Sequence, residues 1–461
     1  MGGTGSPLQE SDLIFPSATH DITTALTGLK RSNLSVTNRL HSIRADADFV
    51  QRVSDAYQLP LIANERCGSW YINPTRKAGS AYFKSTDGHF GQWSFSLRRL
   101  NLQVLDVVGE HGGCIIVDST RRGKSMPDAL SKTIPTWLCV LNRLLYPERT
   151  EWHDLQTPSD VVSESEHSQI EARLTSFVAA LQSLGLDVDG LRATLGGKPL
   201  RPLWVTPATG IQSVVADDHD QWHAVVLCTA SSRASEALHS SSSYVQGAAD
   251  DSESWAHGLD AATFWTHREQ LLSTSEDELP QLIATLVADS RLRSPIREPV
   301  LIKPTSTIWI ANNAAAEASS CAASFDLVVS CSPKAHAVMA DALKSRYIHL
   351  ACSTGKNGSR QLRAELPKVE RLRALLKSDS RILVTCQTGK DLAVGVALAI
   401  ICLFCNVDGS LRPPGDDGST QGAIALSKTV IKHRLSWIML AMPDAAPSRA
   451  TLQSVNAFLL G

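Results

Sequence analysis

The chain has 461 residues, 43% of them apolar and 20% charged, with a formal net charge of −2 at pH 7. This composition excludes a chain that is disordered throughout, a collagen, a coiled coil and a bulk polycation. No apolar run reaches the roughly 18 residues of a membrane span, and the first ten residues lack the apolar core of a secretory signal. The ten cysteines are scattered along the chain, which favours a reducing compartment. We therefore expect a cytoplasmic protein of two or three domains.

The charge is distributed unevenly along the chain. Residues 60–150 carry 12 Lys and Arg against 7 Asp and Glu, whereas residues 151–300 carry 9 against 22. A basic segment beside an acidic one is typical of binding to a defined polyanion, and solvated surface charge explains the same pattern.

The first two thirds of the chain predict a mixed α/β domain. A disordered tail over residues 1–18 precedes short amphipathic helices to about residue 53, and short strands and turns follow over residues 64–99. The remaining predictions are a buried strand at Cys114–Thr120, helical spacing over Asp128–Leu145 interrupted by Pro135, a helix over Ser163–Gly185 that begins with a Ser163/Glu166 capping box, and strands at Trp222–Ala230 and Ser242–Gln246.

The last third alternates strands and helices, which predicts a parallel sheet covered by helices. The strands are placed at Asp326–Ser330, Tyr347–Ala351 and Arg381–Thr385, and the helices at Lys334–Ser345, Ser359–Ser378 and Leu392–Cys405. A charge-rich segment with two prolines, residues 290–303, predicts the boundary between an N-terminal domain of residues 19–295 and a C-terminal domain of residues 296–461.

A loop suited to phosphate follows the last of these strands. It contains Cys386, Gln387, Thr388, Gly389, Lys390 and Asp391 and opens an apolar helix. Backbone N–H groups at a helix start bind anions, Gly389 permits a close approach, and Lys390 adds positive charge. The loop resembles that of cysteine-dependent phosphatases, but Leu392 stands in the place of their Arg and Thr385 in the place of their His. We expect it to hold a phosphate without cleaving it; an ordinary strand-to-helix turn is the alternative.

A second candidate loop begins where an apolar strand ends in Asp118. Hydroxyl and basic residues follow, namely Ser119, Thr120, Arg121, Arg122, Gly123 and Lys124. Asp118 would accept ribose hydroxyls or bind Mg²⁺ through water, and the basic side chains would contact phosphates. The loop is loosely similar to the diphosphoribose loop of classical phosphoribosyltransferases, although it lacks their paired acids. A solvated, Arg-rich turn explains the composition equally well.

Three carboxylates lie within four positions, at Asp250, Asp251 and Glu253. Carboxylates this close repel one another unless they are solvated, paired or bridged by a cation. Mg²⁺ binding or general-base catalysis is one interpretation, and an exposed acidic start of a helix, which the spacing alone favours, is the other.

Five stretches together resemble one family, the fungal and plant initiator tRNA phosphoribosyltransferases, which modify adenosine 64 of initiator tRNA. They read NERCGSWY at 64–71, YFKSTDGHFGQWSFSLRRLN at 82–101, IIVDSTRRGKSMPDALSKTIPTWLCVLN at 115–142, YVQGAADDSESWAHGLDAATFW at 244–265 and VTCQTGKDLAVGVALAIIC at 384–402. The similarity runs from about residue 30 to the end of the chain.

The resemblance implies transfer of ribosyl phosphate from 5-phosphoribosyl 1-diphosphate to the 2′-hydroxyl of that adenosine, which keeps the tRNA out of elongation. It implies a family-specific N-terminal domain joined to a C-terminal α/β domain like that of dual-specificity phosphatases. The implied partners are initiator methionine tRNA and the small-molecule donor, and the implied cofactor is Mg²⁺. Neither a membrane nor an obligate protein partner is expected.

Departure of diphosphate from ribose develops charge that must be stabilised, and the 2′-hydroxyl needs a base. The candidate catalytic residues are Asp118, Asp250, Asp391 and Cys386, with Asp250 and Asp251 as metal ligands. Residues 386–391 and 119–124 are the candidates for binding the donor's phosphates, and Lys84, Arg98, Arg99 and Lys132 those for binding tRNA. Cys386 need not be a nucleophile, because glycosyl transfer to oxygen requires no phosphocysteine.

Two other classes of function remain open. The Cys386 loop suggests a protein or RNA phosphatase, against which the absence of its Arg argues. A phosphatase-like protein that binds RNA or phosphate without transferase activity is the other alternative.

Overall fold

The computed structural model describes residues 34–85, 91, 93–121, 123–211, 221–232, 243–292, 297–317, 321–353, 355–412 and 426–461. The tail predicted over residues 1–18 lies outside these ranges, as does Arg122. The strands are β1 (Leu61–Asn64), β2 (Lys77–Ala81), β3 (Gly113–Asp118), β4 (Leu200–Val205), β5 (His223–Thr229), β6 (Val300–Leu301), β7 (Ile308–Asn312), β8 (Leu327–Ser332), β9 (Tyr347–Ala351) and β10 (Ile382–Cys386).

The described helices of the first two thirds are α1 (Val36–Tyr57), α2 (Gln103–His111), α3 (Ile134–Leu145), α4 (Glu164–Glu171), α5 (Leu174–Gln182), α6 (Val188–Thr194), α7 (Ser252–Trp255), α8 (Ala261–Thr266), α9 (Arg268–Ser273) and α10 (Leu279–Leu292). Those of the last third are α11 (Asn313–Glu317), α12 (Cys321–Ser324), α13 (Ala337–Leu343), α14 (Gly355–Glu365), α15 (Leu392–Phe404), α16 (Lys428–Ala441) and α17 (Arg449–Leu460). None of these helices combines the length and the hydrophobicity that crossing a bilayer requires.

The first sheet has five parallel strands in the order β2-β1-β3-β5-β4. Successive side chains of β3 point to opposite faces, so Cys114 and Ile116 join one apolar cluster whereas Ile115 and Val117 join the other. Helices α2 to α5 cover the first face, and α1 with α7 to α10 cover the second. Burial on both faces explains why β3 is an unbroken apolar run in the sequence.

The second sheet has the order β6-β7-β10-β8-β9, in which only the short β6 is antiparallel. Its central strand β10 lies between β7 and β8, and the wholly apolar helix α15 packs directly on it. The α/β class and the parallel sheet predicted for the last third are therefore confirmed. The observed bounds of β8 and β10 differ from the predicted ones by one or two residues.

Several predicted elements differ in the structure for local reasons. Ser163 caps α4 by accepting from the Glu166 N–H, but the Glu166 carboxylate contacts Trp93 Nε1 and Lys132, so only the serine half of the predicted capping box forms. The single helix predicted to Gly185 is two helices. Pro135 lies in the first turn of α3, which continues directly from a π-helical segment over Ala129–Thr133, so the helix changes type at the proline instead of breaking there. Strand β4 is absent from the predicted elements. It contains Pro202, which a sheet accepts at its edge.

The strand predicted at Ser242–Gln246 is wrong in its described part, residues 243–246, which form a turn and irregular backbone. The Tyr244 hydroxyl donates to Asp46 at 2.8 Å and accepts from the Ser232 N–H at 2.9 Å. These side-chain contacts, and not a strand ladder, hold the segment in place. The boundary predicted between residues 295 and 296 lies outside the described residues and stays a prediction.

We expect Gly68→Ala to destabilise the protein. An added Cβ at Gly68 would lie 2.3 Å from the carbonyl oxygen of Val117, which as buried backbone of β3 cannot move away. The expected loss of unfolding free energy is about 1–3 kcal/mol, measured by chemical denaturation. Gly79→Ala is the matched control, because its Cβ would meet only ordinary contacts at 3.9 Å and beyond. Equal stability of the two variants would contradict this prediction.

Candidate active site

Asp118 ends β3 at the carboxyl edge of the first sheet and is fully buried. Its carboxylate accepts hydrogen bonds from Asn64 Nδ2 at 2.8 Å, Cys67 Sγ at 3.0 Å and the Ser119 N–H at 2.8 Å. Arg66 Nε lies 3.3 Å from the same carboxylate. These donors fix the orientation of Asp118, because both of its oxygens are occupied.

Arg66 connects Asp118 to Asp250, which comes 184 residues after Arg66 in the chain. One terminal nitrogen of its guanidinium donates to the Ser119 carbonyl at 2.7 Å and lies 3.3 Å from Asp250 Oδ1. Burial opposes the charge on Arg66, but Asp118 and Asp250 hold its pKa above the usual value of an arginine. No motif in the sequence singles out Arg66, although its place just after β1 puts it at the ligand-binding edge of a parallel sheet.

Asp250 is 6% exposed, and its two carboxylate oxygens differ in their contacts. Oδ1 contacts Arg66, whereas Oδ2 is buried and accepts no hydrogen bond from the described residues; Arg121 Nε lies 3.5 Å from it. Burial raises the pKa of Asp250, nearby Asp118 raises it further, and Arg66 opposes both effects. A buried carboxylate with an unoccupied lone pair and a raised pKa is suited to accept a proton.

Arg121 and Asp251 form the solvent-exposed side of this cluster. The Arg121 guanidinium lies 2.6 Å from Asp251 Oδ2, and both side chains are about three-fifths exposed. Arg121 therefore contacts both members of the Asp250/Asp251 pair. Asp251 has a left-handed backbone conformation, with φ of 50°, and precedes the one-turn helix α7.

The loop that carries Asp250 packs tightly against the loop that follows β3. Gly247 has φ of 65°, and an added Cβ there would lie 2.5 Å from the Thr120 carbonyl oxygen. The Tyr71 hydroxyl accepts from the Ala249 N–H at 3.1 Å and lies 3.1 Å from Ser119 Oγ. Three of the sequence stretches, 64–71, 115–142 and 244–265, thus meet at one edge of the sheet.

The other residues of the loop after β3 have backbone and ionic contacts. Thr120 and Ser231 exchange two hydrogen bonds of 3.1 and 3.2 Å, and the Gly123 N–H donates to Gln246 at 3.3 Å. Lys124 Nζ lies 3.5 Å from Asp128. The predicted candidates Asp118, Ser119, Thr120, Arg121, Gly123, Lys124, Asp250 and Asp251 are therefore brought together on one side of the first sheet.

The Cys386 loop packs on the second sheet. Cys386 is buried at the end of β10, and Gly389, with φ of 71°, crosses so close to β7 that an added Cβ would lie 2.9 Å from backbone atoms of Ala311. The Thr388 hydroxyl accepts from the Lys390 N–H at 3.2 Å, and Gln387 is exposed. Leu392, in the place of the phosphatase arginine, is buried in the core.

The charged residues of this loop have partners in the same part of the chain. Lys390 Nζ lies 3.2 Å from Asp444, which also pairs with both terminal nitrogens of Arg297 at 2.7 and 2.8 Å. Although burial raises it, these cations hold the pKa of Asp444 at about 2. Asp391 Oδ1 accepts from the Ser448 N–H at 2.8 Å and from Thr451 Oγ1 at 2.6 Å, which anchors the start of α17.

The four candidate tRNA-binding residues differ in their surroundings. Lys84 and Arg98 are exposed. Arg99 lies over the Tyr82 ring, 3.6 Å from its centroid, and burial lowers its pKa. Lys132 Nζ lies 2.8 Å from Glu166 and 3.5 Å from Asp128, so its charge is already compensated by two carboxylates.

Comparison with known proteins adds evidence independent of the geometry. The Rit1 N-terminal domain model matches residues 29–288, and the Rit1 DUSP-like domain model matches residues 346–459. The phosphatase PTP-2 of Cydia pomonella is 10% identical with a TM-score of 0.24, and it aligns with 35% of this chain and 89% of its own. The Yvh1 phosphatase domain of Chaetomium thermophilum is 19% identical with a TM-score of 0.25, and it aligns with 35% of this chain and 94% of its own.

Two relatives match nearly the whole chain. The tRNA A64-2′-O-ribosylphosphate transferase of Saccharomyces cerevisiae is 35% identical over 94% of this chain and 93% of its own length. An uncharacterized protein of Schizosaccharomyces pombe is 36% identical over 92% of this chain and 94% of its own length. With both family models matched in order and this identity over almost the full length, the chain belongs to the Rit1 family.

Proposed function

We propose that this chain is a cytoplasmic pentosyltransferase that uses 5-phosphoribosyl 1-diphosphate to place ribosyl 5-phosphate on the 2′-hydroxyl of adenosine 64 of initiator methionine tRNA. The name and the extent of the S. cerevisiae relative support the reaction. The structural observation that carries it is Asp250, a buried carboxylate with one oxygen that accepts no hydrogen bond from the described residues, between two arginines.

Asp250 acts as the general base in this proposal. The 2′-oxygen forms a bond to C1 of the donor ribose, and the bond from C1 to the diphosphate oxygen breaks. With Arg121 drawn from Asp250 to the diphosphate, the hydroxyl proton passes to Asp250 Oδ2. Asp118 is a positioning residue, because its oxygens already accept from Asn64, Cys67 and Ser119. It holds Arg66, which in turn fixes Asp250 Oδ1.

The loop of residues 119–124 binds the phosphates of the donor. It lies beside Asp250, so a phosphate bound there keeps C1 near the base. Arg121 is exposed beside Asp250 and pairs with Asp251 in the free protein; in this proposal it turns to the departing diphosphate and neutralises part of its charge. The Cys386 loop is the less favourable place for the donor, because Lys390 and Asp391 already contact Asp444, Ser448 and Thr451.

A Mg²⁺ ion fits this site only together with the donor. Among the residues the structure describes, no group of three or more His, Cys, Asp and Glu side chains is arranged to hold a metal ion. Mg²⁺ commonly binds through one or two carboxylates and substrate phosphates. Asp251, which is exposed and adjacent to Asp250, would hold it in this way. When bound, the ion would neutralise negative charge on the diphosphate.

Lys84 and Arg98 are the proposed contacts to the tRNA backbone. Both are exposed in the basic part of the chain. Lys132 is a weaker candidate, because Glu166 and Asp128 already compensate its charge.

We expect Asp250→Asn to reduce the rate of transfer by about 10²–10⁴-fold, because an amide cannot accept the hydroxyl proton. The measurement is the transfer of labelled ribosyl phosphate to initiator methionine tRNA, with elongator methionine tRNA as the negative control. Glu253→Gln is the matched variant, since it removes a nearby exposed carboxylate and should leave the rate unchanged. Unimpaired transfer by folded Asp250→Asn would exclude this base.

The rate should fall with decreasing pH as Asp250 becomes protonated. Because the pKa of Asp250 is raised, this fall begins at a higher pH than for an ordinary aspartate, whose pKa is about 3.9. Arg66 lowers the pKa of Asp250, so Arg66→Gln should move the acidic limb to still higher pH. The check is a pH–rate profile under single-turnover conditions. An acidic limb that stays in place in Arg66→Gln would contradict the assignment.

Cys386→Ser should retain near-normal transfer. The thiol is buried, and the leucine in the arginine position gives the loop no guanidinium to stabilise a phosphoryl group. The same labelled-transfer assay measures this, together with the hydrolysis of an aryl phosphate. Steady hydrolysis by the wild type that Cys386→Ser abolishes would instead support the phosphatase alternative.

A further inference from the structure

A cavity of about 470 Å³ opens at the amino edge of the first sheet. Leu200, which begins β4, and Trp222, which immediately precedes β5, line it, whereas Asp118 lies at the opposite edge. Its volume falls within the roughly 300–1,000 Å³ of small-molecule sites. The strand register places about six residues between the two edges, which corresponds to about 20 Å.

Two arginines, each of which lies over a tryptophan ring, line this cavity. Arg149 Cζ lies 4.3 Å from the centroid of the Trp152 ring, and Arg201 Cζ lies 5.0 Å from that of Trp222. Both arginines are exposed and Trp152 is half-buried, whereas Trp222 is buried. The guanidinium planes and the Trp152 ring therefore provide the flat surfaces at the rim. Such surfaces stack with the unpaired bases of RNA.

The carboxylates that line the cavity favour a nucleobase over a phosphate group as its ligand. Glu151 pairs with Arg149 at 2.6 Å, and the exposed Asp154 adds a second carboxylate to the lining. Carboxylates repel phosphate, but they accept hydrogen bonds from the exocyclic amino groups of adenine, guanine and cytosine. Uracil has no such group.

We propose that this cavity binds one unpaired, amino-bearing base of the RNA substrate. The inference rests on the proposed function, and it adds a recognition site that does not touch the reacting atoms. A base held about 20 Å from Asp250 would orient a much larger RNA over the carboxyl edge. The site therefore contributes to the choice of tRNA and not to the chemical step.

The first test compares the KM for initiator methionine tRNA among variants. Arg149→Ala and Trp152→Ala should each raise it by about tenfold, with kcat and the KM for the donor unchanged. Arg268→Ala is the matched control, because Arg268 also lies over a tryptophan, Trp265, and pairs with a neighbouring glutamate, Glu269. An unchanged KM for tRNA in folded Arg149→Ala and Trp152→Ala would overturn the inference.

The second test does not depend on transfer activity. In protein labelled with 5-fluorotryptophan, AMP and CMP should shift the fluorine resonance of Trp152, assigned by its absence in Trp152→Phe, more strongly than UMP does. Asp154→Asn should weaken the preference for AMP and CMP over UMP. A shift without any tRNA modification would support the cavity site and refute the proposed function. Normal modification with no shift from any nucleotide would refute the cavity site alone.

Discussion

The contact of Arg66 with two buried carboxylates is the interaction on which the carboxyl edge of the first sheet depends. Asp118 and Asp250 come from different parts of the chain, and their burial close together is unfavourable unless a cation compensates them. Arg66 supplies that charge and also donates to the Ser119 carbonyl. Removing it would leave two carboxylates buried without full compensation, so the same residue is needed to fold the edge of the sheet and to prepare it for chemistry.

The two sheets carry similar strand-to-loop patterns, but the residues after the central strand have different contacts in each. In both, a central parallel strand ends in a polar residue, Asp118 in β3 and Cys386 in β10, at the edge where such sheets bind ligands. Beyond β3, the proposed base Asp250 keeps one oxygen that accepts no hydrogen bond from the described residues. Beyond β10, Asp391 accepts from Ser448 and Thr451, and Leu392 fills the core. The second loop is thus built mainly to hold its own domain together.

Much of the fold could be predicted because its signals are local. The apolar run of β3 and the alternating elements of the last third follow from burial of parallel strands on both faces. The errors came from contacts distant in sequence: Tyr244 is held by Asp46, and β4 keeps Pro202 because it is an edge strand. The site was predicted as separate loops with their acids, but Arg66 was missed, because its partners lie 52 and 184 residues away.

The contact between Gly247 and the Thr120 carbonyl makes two loops mechanically dependent on each other. With no side chain between them, the backbone of one loop packs directly on the backbone of the other. The Tyr71 hydroxyl contacts both loops, through Ser119 Oγ and the Ala249 N–H. A ligand that displaces Thr120 must therefore displace the loop that carries Asp250. Under the proposed function this contact couples the donor site to the acceptor site, so that the first molecule to bind sets the shape that the second one meets.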